Sequence, residues 1–389
     1  MHPVLWKVPG IDLTIPAYGF FMVVGIVLAL WIAIHRARRR SLDPAVITSM
    51  SIIGLVLGVI GCRLMYLVHH DLGRLFSGEM SVREIISLQA GRDVMGGVIL
   101  GMLGVMAFLR WTRKSVLRYL DVTAPSLVLA MGIGRIGCFM FGCCWGGVCE
   151  VDHGEKGVPW AVQFPYGSPP YLRQVEKGEI EPPAALYWKL PKAEEPELIP
   201  REVLSTIDID DDTMLLEWAE VAERYAAEGK IDKDSPKARE LLEQQKALFD
   251  QLRDRPPDLL LAQVAAAIHL RNLAAHGDGE PTTWAALREL AAAQHSEWVH
   301  PAQLYDAIAL VLLFFVLSAI LRRSHHPGMV LAWMLILYSV NRFLQEIIRS
   351  DNLADSFFDL LTISQFASAI MLLVGVGLAM AVRQQRPAA

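Results

Sequence analysis

The segment Gly134-Arg135-Ile136-Gly137-Cys138-Phe139-Met140-Phe141-Gly142-Cys143-Cys144-Trp145-Gly146 closes an apolar run that begins at Ala124. An arginine in such a run costs at least ~2.5 kcal/mol to place in hydrocarbon, so it is paired, snorkels to the interface, or is used on a polar ligand. Four glycines in these thirteen residues remove side-chain bulk, which lets a ligand or a neighbouring helix come close. Arg135 is therefore the first candidate for chemistry, with Gly134, Gly137 and Gly142 beside it. The structural alternative is that Arg135 only snorkels and the glycines only pack helices.

Other polar groups interrupt apolar runs in the same way. Arg63 lies within Gly61-Cys62-Arg63-Leu64-Met65-Tyr66, and Asp121 opens Asp121-Val122-Thr123-Ala124-Pro125, where it could equally be a helix-start residue favoured by the dipole. Tyr338, Arg342 and Glu346 recur four residues apart and Arg349 follows three later, so one helix face carries phenol, guanidinium, carboxylate and guanidinium. That face should not meet lipid. Arg342 and Glu346 could simply fasten a bundle, yet Arg63, Arg135, Arg342 and Arg349 together outnumber the obvious carboxylate partners. Guanidinium groups match phosphate oxygens through paired hydrogen bonds, so an anionic lipid headgroup is the natural missing partner.

The elements that must hold these groups are membrane helices. Of 389 residues, 53% are hydrophobic, mean hydropathy is +0.35, and the apolar residues fall in blocks, which marks a membrane protein. Seven runs approach the ~20 residues needed to span hydrocarbon, near 16–35, 46–68, 94–110, 120–141, 303–321, 328–348 and 363–382. Pro3, Lys7, Pro9 and Asp12 argue against a cleavable signal peptide. Basic clusters follow alternate runs: Arg36, Arg38, Arg39 and Arg40; Arg110, Arg113, Lys114 and Arg118; Arg322 and Arg323; Arg383 and Arg386. The positive-inside rule then places the C-terminus in the cytoplasm and the N-terminus outside.

The chain thus divides into a membrane half at 1–146, an insert at 147–299 and a second membrane half at 300–389, an all-α polytopic bundle interrupted by a soluble segment. The insert concentrates acidic residues while the remainder is net basic. It opens with a turn-rich portion containing Pro159, Pro165, Pro169, Pro170, Pro182 and Pro183, and Trp160 to Pro165 could be a short strand. From Asp211 it reads as amphipathic helices, with Met214, Leu215, Trp218, Val221, Ala222 and Tyr225 on one face. A further helical pattern covers Leu241 to Leu252, and another runs from Asp258 to Ala275. It carries no metal motif, phosphate loop or nucleophile elbow, and the expected topology makes it an outer helical cap.

Taken together, these motifs resemble the prolipoprotein diacylglyceryl transferase family. The likeness rests on His2-Pro3-Val4-Leu5, Tyr18-Gly19, Gly96-Gly97, Asp121 with Ala124-Pro125, Gly134-Arg135-Ile136-Gly137 and Gly142 with Trp145-Gly146. It continues through His300-Pro301-Ala302-Gln303-Leu304-Tyr305, Tyr338 with Arg342-Phe343, Glu346 and Arg349, and Ile363-Ser364-Gln365, leaving the insert outside. The resemblance implies a bacterial inner-membrane enzyme that moves diacylglyceryl from phosphatidylglycerol to the lipobox cysteine of a preprolipoprotein, with membrane lipids as surroundings and neither nucleic acid nor cofactor involved. By matching positions, Arg135 and Arg342 would serve the phosphate, lined by Tyr18 and Tyr338, with Glu346 orienting Arg342. His300 and Gln303 would stand at the outer mouth. Gly96 and Gly97, with Arg63 and Arg349, complete the expected substrate-binding set.

This chain departs from the family pattern at three places. The family's usual histidine before the paired glycines is Met95, its asparagine after Gly-Arg-Ile-Gly is Cys138, and its Asn-Gly-Glu is Phe141-Gly142-Cys143. Methionine cannot accept the thiol proton, which leaves His300 as the one motif histidine to consider, or a paralogue with altered chemistry. Cys138, Cys143, Cys144 and Cys149 cluster, with Cys62 apart. A disulfide to Cys149, inert packing, a metal or a reactive thiol are all open. The spacing lacks the paired CxxC signature, so no metal is expected.

Overall fold

The computed structural model describes residues 4–7, 14–77, 81, 93–151, 155–188, 195–210, 212–231, 235–252, 256–276, 281–349, 356–357 and 361–384. In chain order, four helices come first: α1 (Ala17–Arg39), α2 (Pro44–His70), α3 (Val94–Trp111) and α4 (Val116–Phe141). The insert adds α5 (Pro169–Glu176), α6 (Arg201–Thr206), α7 (Thr213–Ile231), α8 (Pro236–Leu252), α9 (Pro257–His276) and α10 (Trp284–Ala293). Three more follow: α11 (Ala302–Arg323), α12 (Met329–Ile348) and α13 (Ile363–Gln384). Short antiparallel strand pairs, such as Val4–Lys7 with Thr14–Pro16, close some of the turns. The expected motif residues His2 and Pro3 lie outside the described residues.

Each of the seven apolar runs is a helix. Five are long and apolar enough to span a membrane: α1, α2, α4, α11 and α13. α3 is shorter, and α12 is diluted by its polar face. The chain separates into two compact units, one formed by His2–Gly147 with Pro301–Ala389 and the other by Val148–His300 with Met1.

In the membrane unit the chief pairings are α1 with α4, α2 with α3, α4 with α11 and α12 with α13. Lipid is as apolar as leucine, so close packing rather than water expulsion holds such helices together. Their sequences supply it with small residues: a Cβ on Gly96 would collide with the Gly61 carbonyl, and one on Gly25 would sit 3.0 Å from the Ala130 oxygen. Val128, Leu310, Leu317 and Val330 fill the centre where α4, α11 and α12 meet. Val27, Leu55, Leu312, Phe315 and Leu373 stand exposed on the outside, as lipid-facing side chains should.

Asp121 is buried within α4, whose helix starts five residues earlier than the carboxylate. Its oxygens accept hydrogen bonds from Gly328 N (2.6 Å) and Leu331 N (2.8 Å), capping α12. Asp121 therefore does not start its own helix but serves the N-terminus of another. The residue before α12 is Gly328, with φ 96° and no side chain to cap the helix, so the cap comes from α4.

The insert has its own core around Trp284, Tyr171, Leu186, Leu215, Leu252 and Leu287, all fully buried. Leu215, Trp218 and Val221 face inward as their spacing predicts. Two readings change. Pro169 and Pro170 initiate α5 rather than a turn, because proline at the first helical position loses no needed hydrogen bond. Val162 and Pro165 form only isolated bridges, to Val299 and His295, so the stretch from Trp160 is not a strand. Asp210 caps α10 by accepting from Trp284 N (2.6 Å) and Ala285 N (2.9 Å).

Candidate functional site

Arg135 on α4 does have a carboxylate partner. Its Nε lies 2.6 Å from Oδ2 of Asp306 on α11, and both side chains are mostly buried. Asp306 Oδ1 accepts from Asn341 Nδ2 on α12 at 2.7 Å, so one carboxylate ties three helices. Asp306 is thus a carboxylate partner that the spacing of the motifs does not reveal. Because the contact is through Nε, the Nη1/Nη2 edge of the Arg135 guanidinium is not the edge held by Asp306.

The second group is built on α12 as its spacing predicts. Ser339, Gln345 and Glu346 are buried, while Val340, Leu344 and Ile347 face outward. Arg342 Nη2 lies 2.9 Å from Glu346 Oε2, an ion contact rather than an aligned hydrogen bond, and donates to Ser364 Oγ of α13 at 2.9 Å. Glu346 Oε1 accepts from Thr362 Oγ1 at 3.1 Å. Arg342 is thus held between Glu346 on its own helix and Ser364 of α13. Arg342 Nη1 is buried and without a hydrogen-bond partner among the described residues. An unspent buried donor on a fixed guanidinium is a ready contact for an anionic oxygen.

The ends of α4 and α12 are joined directly. Gly142 takes φ 89° to end α4, Gly146 bridges Arg349, and Gly147 N donates to Ile348 O at 2.9 Å. Gln303 is 1% exposed and donates from Nε2 to Cys143 O at 2.7 Å, while its Oε1 is buried without a partner among the described residues. Arg135, Arg342, Arg349 and Gln303 thus lie toward helix ends that the backbone and side-chain bonds hold to one another, whereas Tyr338 stands near the middle of α12. Tyr18 of α1 packs beside α4, its Cα being 3.1 Å from where a Cβ on Gly137 would stand, and its side chain is 40% exposed. Gly134 has open space around it.

Gly96 and Gly97 serve α2 instead: Gly97 lies against the Cys62 thiol and the Gly58 carbonyl. Arg63 is 5% exposed and stacks on Tyr66, 5.5 Å from the ring centroid. Met95 is 44% exposed. Sequence reasoning passed over a histidine nearby. His69 Nδ1 at the end of α2 lies 3.0 Å from Asp93 Oδ2, and Asp93 also caps α3 by accepting from Met95 N at 2.8 Å. A carboxylate only accepts, so in the neutral imidazole this contact favours the tautomer with the proton on Nδ1 and the lone pair on Nε2. His300 belongs to the insert's unit.

A family model described as prolipoprotein diacylglyceryl transferase matches residues 3–203 and 248–381. The chain belongs to this family. The match runs into the insert and resumes within it, so the expectation that the whole insert falls outside the family pattern is overturned; the unmatched interior part is 204–247. Among relatives named phosphatidylglycerol–prolipoprotein diacylglyceryl transferase, that of Clostridium tetani is 33% identical over 146 residues, 38% of this chain and 56% of the relative. The Rhodopirellula baltica protein is 30% identical over 172 residues (44% and 34%), and that of Corynebacterium glutamicum 28% over 169 (43% and 49%). The chain spans between a third and somewhat over half of these relatives' length. A transferase family acting in lipoprotein biosynthesis accords with a polar, arginine-bearing cluster built among membrane helices.

Proposed function

We propose that this protein is a phosphatidylglycerol:prolipoprotein diacylglyceryl transferase of the bacterial inner membrane, oriented with the insert and the arginine-bearing helix ends outside and the C-terminus in the cytoplasm. The observation that carries the reading is the Arg342 guanidinium, locked by Glu346 and Ser364 with Nη1 unspent. The Arg135–Asp306 pair supports it from α4 and α11.

In this reading the lipobox thiol gives its proton to His69 Nε2, which Asp93 holds in the required tautomer. The thiolate sulfur attacks the glyceryl carbon that bears the phosphate. A carbon–sulfur bond forms, the carbon–oxygen bond breaks, and its electron pair leaves with glycerol phosphate. Charge grows on the departing phosphate, where fixed guanidinium groups stabilise it most. His69 is assigned as the base in place of His300 because it belongs to the membrane unit that carries the arginines and Asp93 orients its ring. The lipid enters sideways from the bilayer and the preprolipoprotein signal-peptide region docks from the outer side.

Met95, which cannot take a proton, favours a second reading in which the same lipid site serves another acceptor or only binds phospholipid. Complementation of a strain depleted of its own diacylglyceryl transferase separates the two. Rescue that is lost with Arg135→Ala and Arg342→Ala is the expected outcome. Failure of a well-expressed, inserted wild type to rescue, with phospholipid still bound, would favour the second reading.

A further inference from the structure

The fold brings together three thiols that the sequence spacing does not announce as a site. One sulfur from each of Cys138, Cys143 and Cys144 lies within 4.8 Å of the other two. Cys138 is buried in the last turn of α4. After the left-handed Gly142 the chain turns back, so that Cys143 N donates to Cys138 O at 3.1 Å and Cys143 Sγ approaches the same carbonyl at 3.7 Å. Cys144 takes φ 61°, a left-handed conformation that residues with a Cβ avoid. Adjacent side chains in extended backbone diverge; this turn instead puts both neighbouring thiols on the Cys138 side.

We propose that Cys138, Cys143 and Cys144 form a binding site for one soft, thiophilic metal ion of the zinc class. Zinc–sulfur bonds of ~2.3 Å at tetrahedral angles set sulfurs about 3.8 Å apart, so each pair closes by no more than about 1 Å on binding. The negative end of the α4 dipole opposes bare thiolates at this place, and an ion that binds all three offsets that end. Each thiol releases its proton to solvent as it ligates. Three thiolates and a dication leave one negative charge, one helical turn from the Arg135 guanidinium. A fourth position stays open to water.

The frame around the thiols is already built. Gln303 of α11 holds the Cys143 carbonyl, and the chain two residues after Cys144 bridges Arg349. Ligation would fix the segment after α4 that bridges to Arg349 at the end of α12, and with it the placement of Arg135. This inference does not depend on the transferase reading.

The test uses the full-length protein in detergent under reductant, with zinc chloride as the probe. After loading and desalting, elemental analysis is expected to find one zinc per chain, and cadmium added in its place gives a thiolate charge-transfer band. Zinc protects Cys138, Cys143 and Cys144 from alkylation while leaving labelling of Cys62 unchanged. Cys144→Ser loses the zinc and Cys149→Ser keeps it. Unchanged alkylation of the three wild-type thiols with zinc present overturns the proposal, as does a disulfide joining any two of them in protein prepared without reductant. Protection is read on the wild type, so a variant that fails to fold does not blunt the test.

Discussion

Asp306 spends one carboxylate oxygen on Arg135 and the other on Asn341. Replacing it with alanine leaves a mostly buried guanidinium with no counter-charge, a loss of roughly 3–5 kcal/mol. Thermal unfolding in detergent should register that loss, and complementation should fail; an Asp306→Ala protein as stable as wild type would remove the pair from the argument. At His69 the expectation is different, because its side chain is half exposed. His69→Ala should retain stability and phospholipid binding but lose about 10²–10⁴ in transfer rate, the usual worth of a positioned base. Wild-type turnover in that variant would dismiss the assignment. Legibility at this scale followed distance along the chain. Arg342 and Glu346 were readable because four residues make one helical turn, whereas Arg135 and Asp306 meet across two helices with the insert between them. His69 and Asp93 meet across a helix–helix joint, and no local spacing marks them.

Helices were the most legible level, since a run of ~20 apolar residues has few other stable fates. What the runs could not reveal was which polar residue serves which helix. Asp121 was readable as a cap, but its recipient is α12, more than two hundred residues on. Paired glycines carried a similar ambiguity between ligand access and packing. For Gly96 and Gly97 the contacts are with α2, whose Gly58, Gly61 and Cys62 occupy the space a side chain would need. Gly96→Leu should therefore force α2 and α3 apart and cost roughly 1–3 kcal/mol or more as overpacking. Gly134→Ala, with open space around it, should be silent in stability. Comparing the two variants by unfolding in detergent tests this; equal losses would mean that the α2–α3 seam is not the constraint.

At the scale of the whole molecule, the insert contributes a separately buried core and its own response to pH. His269 is 8% exposed and its Nε2 donates to the Ala185 carbonyl at 2.8 Å. Burial lowers its pKa below the ordinary histidine value. As pH falls through ~6.5, the unfolded chain takes up a proton that the folded insert resists, so stability drops on acidification and is regained above that point. Amide exchange of α9 and residues 184–186 in the full-length protein should accelerate from pH 7.5 to about 5.5, and His269→Gln should flatten the dependence. The membrane unit has a different constraint, set by the order of synthesis. Until α12 emerges, the Asp121 carboxylate waits in α4 without the amides it later caps, while the ribosome makes the whole insert. The first four helices are thus a template with a vacancy, and the last three complete it. Co-expressed as separate chains, residues 1–146 and 147–389 should assemble and persist, whereas the first piece alone, or paired with a second piece lacking α12, should be cleared by membrane proteolysis.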